Sequence, residues 1–422
     1  MRLRMLRSIT TILATSALVV SGFATAADAH GPRDVPRGFG SAERHQGHGH
    51  KPPKHGDGGG GSSEPVVLTN GLNNPRQLSL VKDKVLLIAE AGSGGSACSS
   101  GGPEGPICIG DTGSVGGVLF PQGGSNREHA ELFTGLISGA GPDGSFAVGP
   151  DGVSQRDFHS PIYVQETFAP PDVIPAGLPG EQSGKLLAGE PFESLHEVAD
   201  ITAFEQAHDP DGQGPDSDPY AVVARKHDQL VADAAGNDIL RVDKHGNVSL
   251  FHLFPNVVNS VTTTASGDWP GYDPTPEFPG ANFVPTSIAI GKHGDVYVGG
   301  LSSLLPGQAE VAVLDGHSGA LKQTLTGFTG VSGLAVDHHG TLYVSQLFAP
   351  EANPAVPQIQ GVVTKITTDG TRHDVDVPFP AGLAVDHEGN VFVSAWSIAP
   401  ATGLADAPPG FDTSGQVWRL RI

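Results

Sequence analysis

The sequence predicts an all-β fold: a six-bladed β-propeller closed by pairing of its N-terminal and C-terminal strands, with long loops and one short helical insertion. Three observations predict it. The 422-residue chain carries 59 glycines and 35 prolines but only 16% charged residues, a balance that favours many short strands and turns over helices. A hairpin motif recurs, consisting of an apolar strand, a turn containing Gly, and a second apolar strand ending in small or polar residues. Its last three copies repeat at roughly the 45–50 residues of a propeller blade.

Residues 1–29 read as a secretory signal: Arg2, Arg4 and Arg7, then an apolar run from Ile9 to Val20, then small residues ending at Ala29. That run is too short to anchor the chain across a bilayer, so a secreted protein with no membrane insertion is expected. Residues 30–63 hold His30, His45, His48, His50 and His55 among Gly and Pro. They lack the apolar residues of a core and read as a disordered linker, better suited to a solvated tether than to trapping metal.

The repeat begins at Glu64. Its second strands are Leu87-Ile-Ala-Glu90, Tyr163-Val-Gln-Glu166, Leu230-Val-Ala-Asp233, Tyr297-Val-Gly-Gly300, Tyr343-Val-Ser-Gln346 and Phe392-Val-Ser-Ala395. Six copies place a six-bladed propeller over residues 64–422, the earlier blades stretched by insertions. The last copy ends in Gln416-Val-Trp-Arg-Leu-Arg-Ile422 with nothing after it, while Pro65-Val-Val-Leu68 has no hairpin partner nearby. Pairing these two would complete the sixth blade and remove its exposed edges. Between copies two and three, Leu195, Val198, Ile201 and Phe204 recur three apart, predicting a helix over 193–206.

Cys98 and Cys108 lie in one Gly-rich loop. In an exported chain they read as a disulfide stapling that loop rather than as a redox or metal pair. The net charge of −21 excludes a nucleic-acid or anionic-membrane surface, which needs basic patches. A monomer is expected.

In a four-stranded blade, the loops between strands two and three open on the same face as the crossings from strand four to the next blade. The residues ending strand two therefore ring the channel mouth, and three consecutive blades place acids there: Glu90, Glu166 and Asp233. Carboxylates converging on a mouth suit Ca²⁺, with Asn74 and Asn237 as neutral ligands and Arg76 as a charge partner. The competing reading is that each acid caps a turn or pairs with Arg76; a small ligand, if bound, is expected at this mouth beside Arg76, Asn74 and Asn237. Residues 209–218 hold four acids in ten residues, but Tyr220 stands where an EF-hand needs Glu, so a solvated turn-rich loop is expected.

These stretches together resemble the ScyD/ScyE family of exported bacterial propeller proteins. The likeness rests on Gly71-Leu-Asn-Asn-Pro-Arg76, Ala89-Glu-Ala-Gly-Ser-Gly-Gly95 with the Cys98/Cys108 loop, Ala232-Asp-Ala-Ala-Gly-Asn237, and Val284-Pro-Thr-Ser-Ile-Ala followed by Tyr297-Val-Gly. It covers most of 64–422 and implies a six-bladed, NHL-like propeller with no established reaction. The chain departs from the family's pattern at Asp218, where the family has Asn, and at Gly300, where it has Glu.

No Gly-x-Ser-x-Gly elbow is present, and His196-Glu197 is followed by Asp200 where a zincin needs a second His. His245, His293 and His339 fall in hairpin turns. The expected function is a non-catalytic binding or scaffold propeller for an extracellular small molecule or protein. The alternatives are a divalent-metal-dependent hydrolase or lactonase acting at the channel mouth, and a quinone-dependent oxidoreductase.

Overall fold

Alternating apolar residues in short runs fold here into sheets buried on both faces. The computed structural model describes residues 64–99, 106–167, 169–255, 282–302, 306–349, 360–405, 407 and 410–422. The expected signal and linker lie outside the described residues.

Strand β1 (Val66–Leu72) begins the described chain. Blade I follows with β2 (Pro75–Val81), β3 (Val85–Glu90), β5 (Cys108–Leu119) and β6 (Ala130–Ala140), and the short β4 (Ala97–Cys98) pairs with the far end of β5. Blade II is β7 (Pro150–Ser154), β8 (Ile162–Glu166), β9 (Lys185–Gly189) and β10 (His196–Asp200). A single α-helix among the described residues, α1 (Ile201–His208), leads to blade III: β11 (Pro219–Ala224), β12 (Asp228–Asp233), β13 (Asp238–Asp243) and β14 (Val248–Leu253). Blade IV is β15 (Pro285–Ile290), β16 (Val296–Gly300), β17 (Ala309–Leu314) and β18 (Leu321–Phe328). Blade V is β19 (Val331–Val336), β20 (Leu342–Gln346), β21 (Gly361–Ile366) and β22 (Arg372–Val377). Blade VI takes β23 (Leu383–Val385), β24 (Val391–Ala395) and β25 (Gly415–Leu420), then β1 as its outer strand.

Closure is as the sequence predicts. Strands β1 and β25 run antiparallel from Val66 opposite Arg419 to Leu72 opposite Gly415. The strand is longer than expected, running to Leu72 rather than Leu68. Its inward residues Leu68 and Leu72 join Leu78, Leu86, Phe392 and Val417 in a cluster between blades VI and I. The core is a set of such wedges between neighbouring sheets. Another joins Leu186 and Ala199 of blade II to Val222, Val231 and Leu240 of blade III. Each fully buried Leu, Ile or Val there contributes about 1.5–3 kcal/mol.

The helical expectation needs correcting. Residues 196–200 form the outer strand of blade II, paired with β9 from His196 opposite Ala188 to Asp200 opposite Lys185. The helix starts only at Ile201, where Asp200 caps it by accepting from the Ala203 N–H. The three-residue spacing is real, but a fourth strand was required to cover the blade edge; Val198 lies in that strand and Leu195 just before it.

The two faces differ. One carries compact hairpin turns, where Asp337 accepts the backbone N–H groups of His339 and Thr341 at 2.8 Å and Gly340 adopts φ 92°, a conformation only glycine enters readily. Asp386 repeats this with Glu388, Asn390 and Gly389. The turn histidines His245, His293 and His339 are exposed. The opposite face carries longer connections, among them 201–218.

Candidate functional site

The long-loop face is organised by one backbone bond repeated in five blades. The residue preceding the inner strand accepts an N–H from the residue following strand two: Ala91 to Asn74, Thr167 to Gly149, Ala234 to Asp218, Leu301 to Val284 and Leu347 to Gly330. Four inner strands then begin with proline, Pro75, Pro150, Pro219 and Pro285, which lie opposite Glu90, Glu166, Asp233 and Gly300. Proline suits the first residue of an inner strand because no ladder bond is asked of its nitrogen there.

Glu90, Glu166 and Asp233 thus occupy equivalent strand ends, as expected, and all three are buried. Their partners, however, differ. Glu90 Oε2 accepts the Asn73 N–H at 2.8 Å. Asp233 Oδ1 accepts the N–H groups of Asp218 and Gly236, and its Oδ2 accepts the Ser217 hydroxyl at 2.6 Å. In blade V the neutral Gln346 accepts the Thr329 N–H at 2.8 Å from the same slot. A neutral residue making the same bond shows that the slot demands an acceptor for the incoming loop rather than a charge. The acids crowding them also differ: Glu131 beside Glu90, Asp151 beside Glu166, Asp216 beside Asp233. Burial pushes the Glu90 carboxyl up to about 7.

The two asparagines are spent on backbone. Asn74 Nδ2 donates to the carbonyls of Gly92 and Gly144 at 2.8 Å, and its Oδ1 accepts from Ala147. Asn237 donates to the Phe254 carbonyl and accepts from the Val284 N–H, tying together both ends of the 254–284 connection.

Arg76 sits in a buried polar group that sequence reasoning only half found. Its Nε lies 3.1 Å from Asp151 Oδ1, and its Nη2 donates to the Ala147 carbonyl. Asp151 and Tyr220 follow the inner-strand prolines of blades II and III as Arg76 does in blade I, a register signal the sequence offered and the strand-two pattern overshadowed. Burial raises Asp151 to about 6 although Arg76 pulls the other way. Asp218, accepting the Thr167 hydroxyl at 2.5 Å, is pushed by burial to about 8, and the Tyr220 hydroxyl to about 12. Glu166 has no hydrogen-bond partner for either carboxylate oxygen among the described residues. Burial and then Asp151 hold its pKa well above the ordinary range.

A second group of carboxylates gathers outside the channel, where α1 and residues 209–218 pack on blade III. Carboxylate oxygens of Glu205, Asp209 and Asp211 lie within 4.8 Å of one another. The loop is half-buried rather than solvated as expected. Burial and then Asp233, Asp211, Asp209 and Asp216 raise Glu205 to about 9. Asp238, the first residue of β13, is held well above its ordinary value by burial and then by Asp233, Glu205 and Asp211. Glu205 and Asp238 were missed because they lie on different elements, with only the loop between them reading as acidic.

Inside the ring of blades, one side chain links three inner strands. Gln77 donates through Nε2 to the Val222 carbonyl, and its Oε1 accepts from Val153 and Val222, bridging blades I, II and III. A cavity of about 20 Å³ remains, lined by Gln77, Tyr220, Thr286, Ser287, Ser332 and neighbouring inner-strand residues. That is room for roughly one water.

A disulfide joins Cys98 to Cys108, which are paired residues of β4 and β5. No helix among the described residues is long and apolar enough to cross a membrane. No family model and no curated protein matches the chain. Among solved structures it is similar to a streptogramin B lyase, at 11% identity and TM-score 0.45 over 85% of this chain and 96% of that one. It is similar to virginiamycin B lyase from Staphylococcus aureus, at 12% identity and TM-score 0.40 over 85% and 99%. It is also similar to the PQQ-bound aldose sugar dehydrogenase of Streptomyces coelicolor, at 12% identity and TM-score 0.46 over 84% and 96%. By its own strand order and terminal closure, the chain is a six-bladed β-propeller.

Proposed function

We propose that the chain is an exported, non-catalytic propeller of the ScyD/ScyE type, its signal of residues 1–29 removed, whose long-loop face binds an extracellular small molecule or protein. The observation that carries this reading is the Gln77 bridge across three blades, beside an inner-strand cavity of about 20 Å³. A substrate cannot enter that space. The one titratable group lining it is Tyr220, whose hydroxyl, pushed to about 12, stays protonated at neutral pH. Two of the three acids expected to bind metal at the mouth are engaged in holding incoming loops.

A hydrolase reading keeps one specific support, the unpartnered Glu166 carboxyl beside Asp151. The test is turnover of lactones and simple esters by the purified chain with Ca²⁺ present, and of sugars with added quinone cofactor. The expected result is no turnover above buffer. Hydrolysis that Glu166→Gln abolishes would overturn the proposal in favour of a divalent-metal hydrolase.

A further inference from the structure

We propose that Glu205, Asp209, Asp211 and Asp238 form a Ca²⁺ site that pins the 201–218 connection to blade III. The proposal rests first on convergence, since oxygens of Glu205, Asp209 and Asp211 come within 4.8 Å of one another. It rests second on two buried carboxylates that nothing among the described residues satisfies. Glu205 and Asp238 are each 0% exposed, and all four of their carboxylate oxygens lack a hydrogen-bond partner among the described residues. An unpaired buried carboxylate costs several kcal/mol; Glu205 belongs to the cluster itself, and its charge, with that of Asp211, also acts on Asp238. Glu205 is held against the turn after β12, where a Cβ on Gly236 would come 3.2 Å from Glu205 Oε2.

Among the described residues, no basic group counts with those acting on Glu205. The groups acting on Glu205 are Asp233, Asp211, Asp209 and Asp216, all acidic. The C-terminal end of α1, where Asp209 is the cap, adds partial negative charge of its own. A bound cation would offset all of this at once. The donors are oxygens alone, with no His or Cys in the set, which selects a hard ion. Four carboxylates on a helix end, a loop and a strand suit the six to eight oxygens and flexible geometry of Ca²⁺ better than the strict octahedron of Mg²⁺.

The site is distinct from the channel mouth but connected to it. Thr202 donates to Ser217, Ser217 to Asp233, and the next residue's N–H, that of Asp218, also to Asp233. Fixing the 201–218 connection therefore fixes Asp218 and Tyr220 beside the axis. The cation would act as a brace for the binding face.

The experiment is calorimetric titration of the purified chain with CaCl₂ after chelator treatment, alongside thermal melts in chelator, Ca²⁺ or Mg²⁺. One saturable Ca²⁺ per chain is expected, with a Tm rise of about 5 °C at saturation and a much smaller response to Mg²⁺. Glu205→Gln and Asp238→Asn should each weaken Ca²⁺ binding at least about tenfold. Neither should lower the Tm measured in chelator, because each replaces an unpartnered buried carboxyl by a neutral side chain of the same shape. Glu90→Gln should leave the Ca²⁺ response intact. Absence of saturable binding, an equal response to Mg²⁺, or full binding by both Glu205→Gln and Asp238→Asn would overturn the proposal. So would loss of the response in Glu90→Gln alone, which would move the ion to the channel mouth.

Discussion

The guanidinium of Arg76 lies 3.1 Å from the carboxylate of Asp151, and the two residues hold the same position, directly after proline, in the inner strands of adjacent blades. The pair is buried, so its two halves depend on one another far more than surface ions do. Replacing Arg76 by Met should cost about 3–5 kcal/mol by leaving Asp151 without its counter-charge. Adding Asp151→Asn to that variant should recover part of the loss. Urea unfolding of the two variants checks this; an unchanged midpoint for Arg76→Met would mean the pair does not hold blades I and II together.

Glu90 and Gln346 make the same bond from equivalent strand ends. At pH 5, where burial keeps the Glu90 carboxyl protonated, Glu90→Gln should therefore change stability by less than about 1 kcal/mol, whereas Glu90→Ala, leaving the Asn73 N–H without its acceptor, should cost about 1–3 kcal/mol. Equal effects of the two substitutions would show that the charge matters rather than the bond.

Terminal closure separates the two N-terminal segments. Deleting β1 strips the outer strand from blade VI and exposes the apolar cluster around Leu68, Leu72 and Phe392. Removing residues 30–63 should leave the melting temperature within about a degree or two, while deleting 66–72 should abolish a cooperative melt. Comparable melts for both truncations would contradict the closure.

Stability should fall as pH rises. Asp151, Glu90 and Asp218 have folded-state pKa values raised to about 6, 7 and 8 by burial. Between the unfolded value near 4 and these folded values, the native state binds more protons than the unfolded one, so each unit of pH lowers the unfolding free energy. The contribution is fully present below about pH 4 and is lost progressively up to about pH 8. Melts in chelator across pH 5 to 9 should show a monotonic decline in Tm. A maximum at pH 8 or above would show that these carboxyls are ionised and satisfied in the native protein.

Much of the fold was legible in the residues. The second strands ending at Glu90, Glu166, Asp233, Gly300, Gln346 and Ala395 end where the sequence pattern places them, because alternation and turn glycines are local properties of a hairpin. Closure was legible for a related reason: an unpartnered strand at each end of a repeat has only one edge left to fill. Local pattern failed at residues 193–206, where helical spacing lost to the need of blade II for an outer strand. It failed more widely at the sites, since which acid is satisfied depends on what a distant segment brings to it. Asp233 receives Ser217 and Asp218 from the connection that precedes its blade, and Glu166 receives no partner among the described residues. The same tertiary approach sets Glu205 of the helix against the turn at Gly236 that precedes β13. Sequence spacing fixed the blades because hydrogen-bonded hairpins are short-range. Charge and burial were decided only when six sheets packed around one axis and set the distances between residues far apart in the chain.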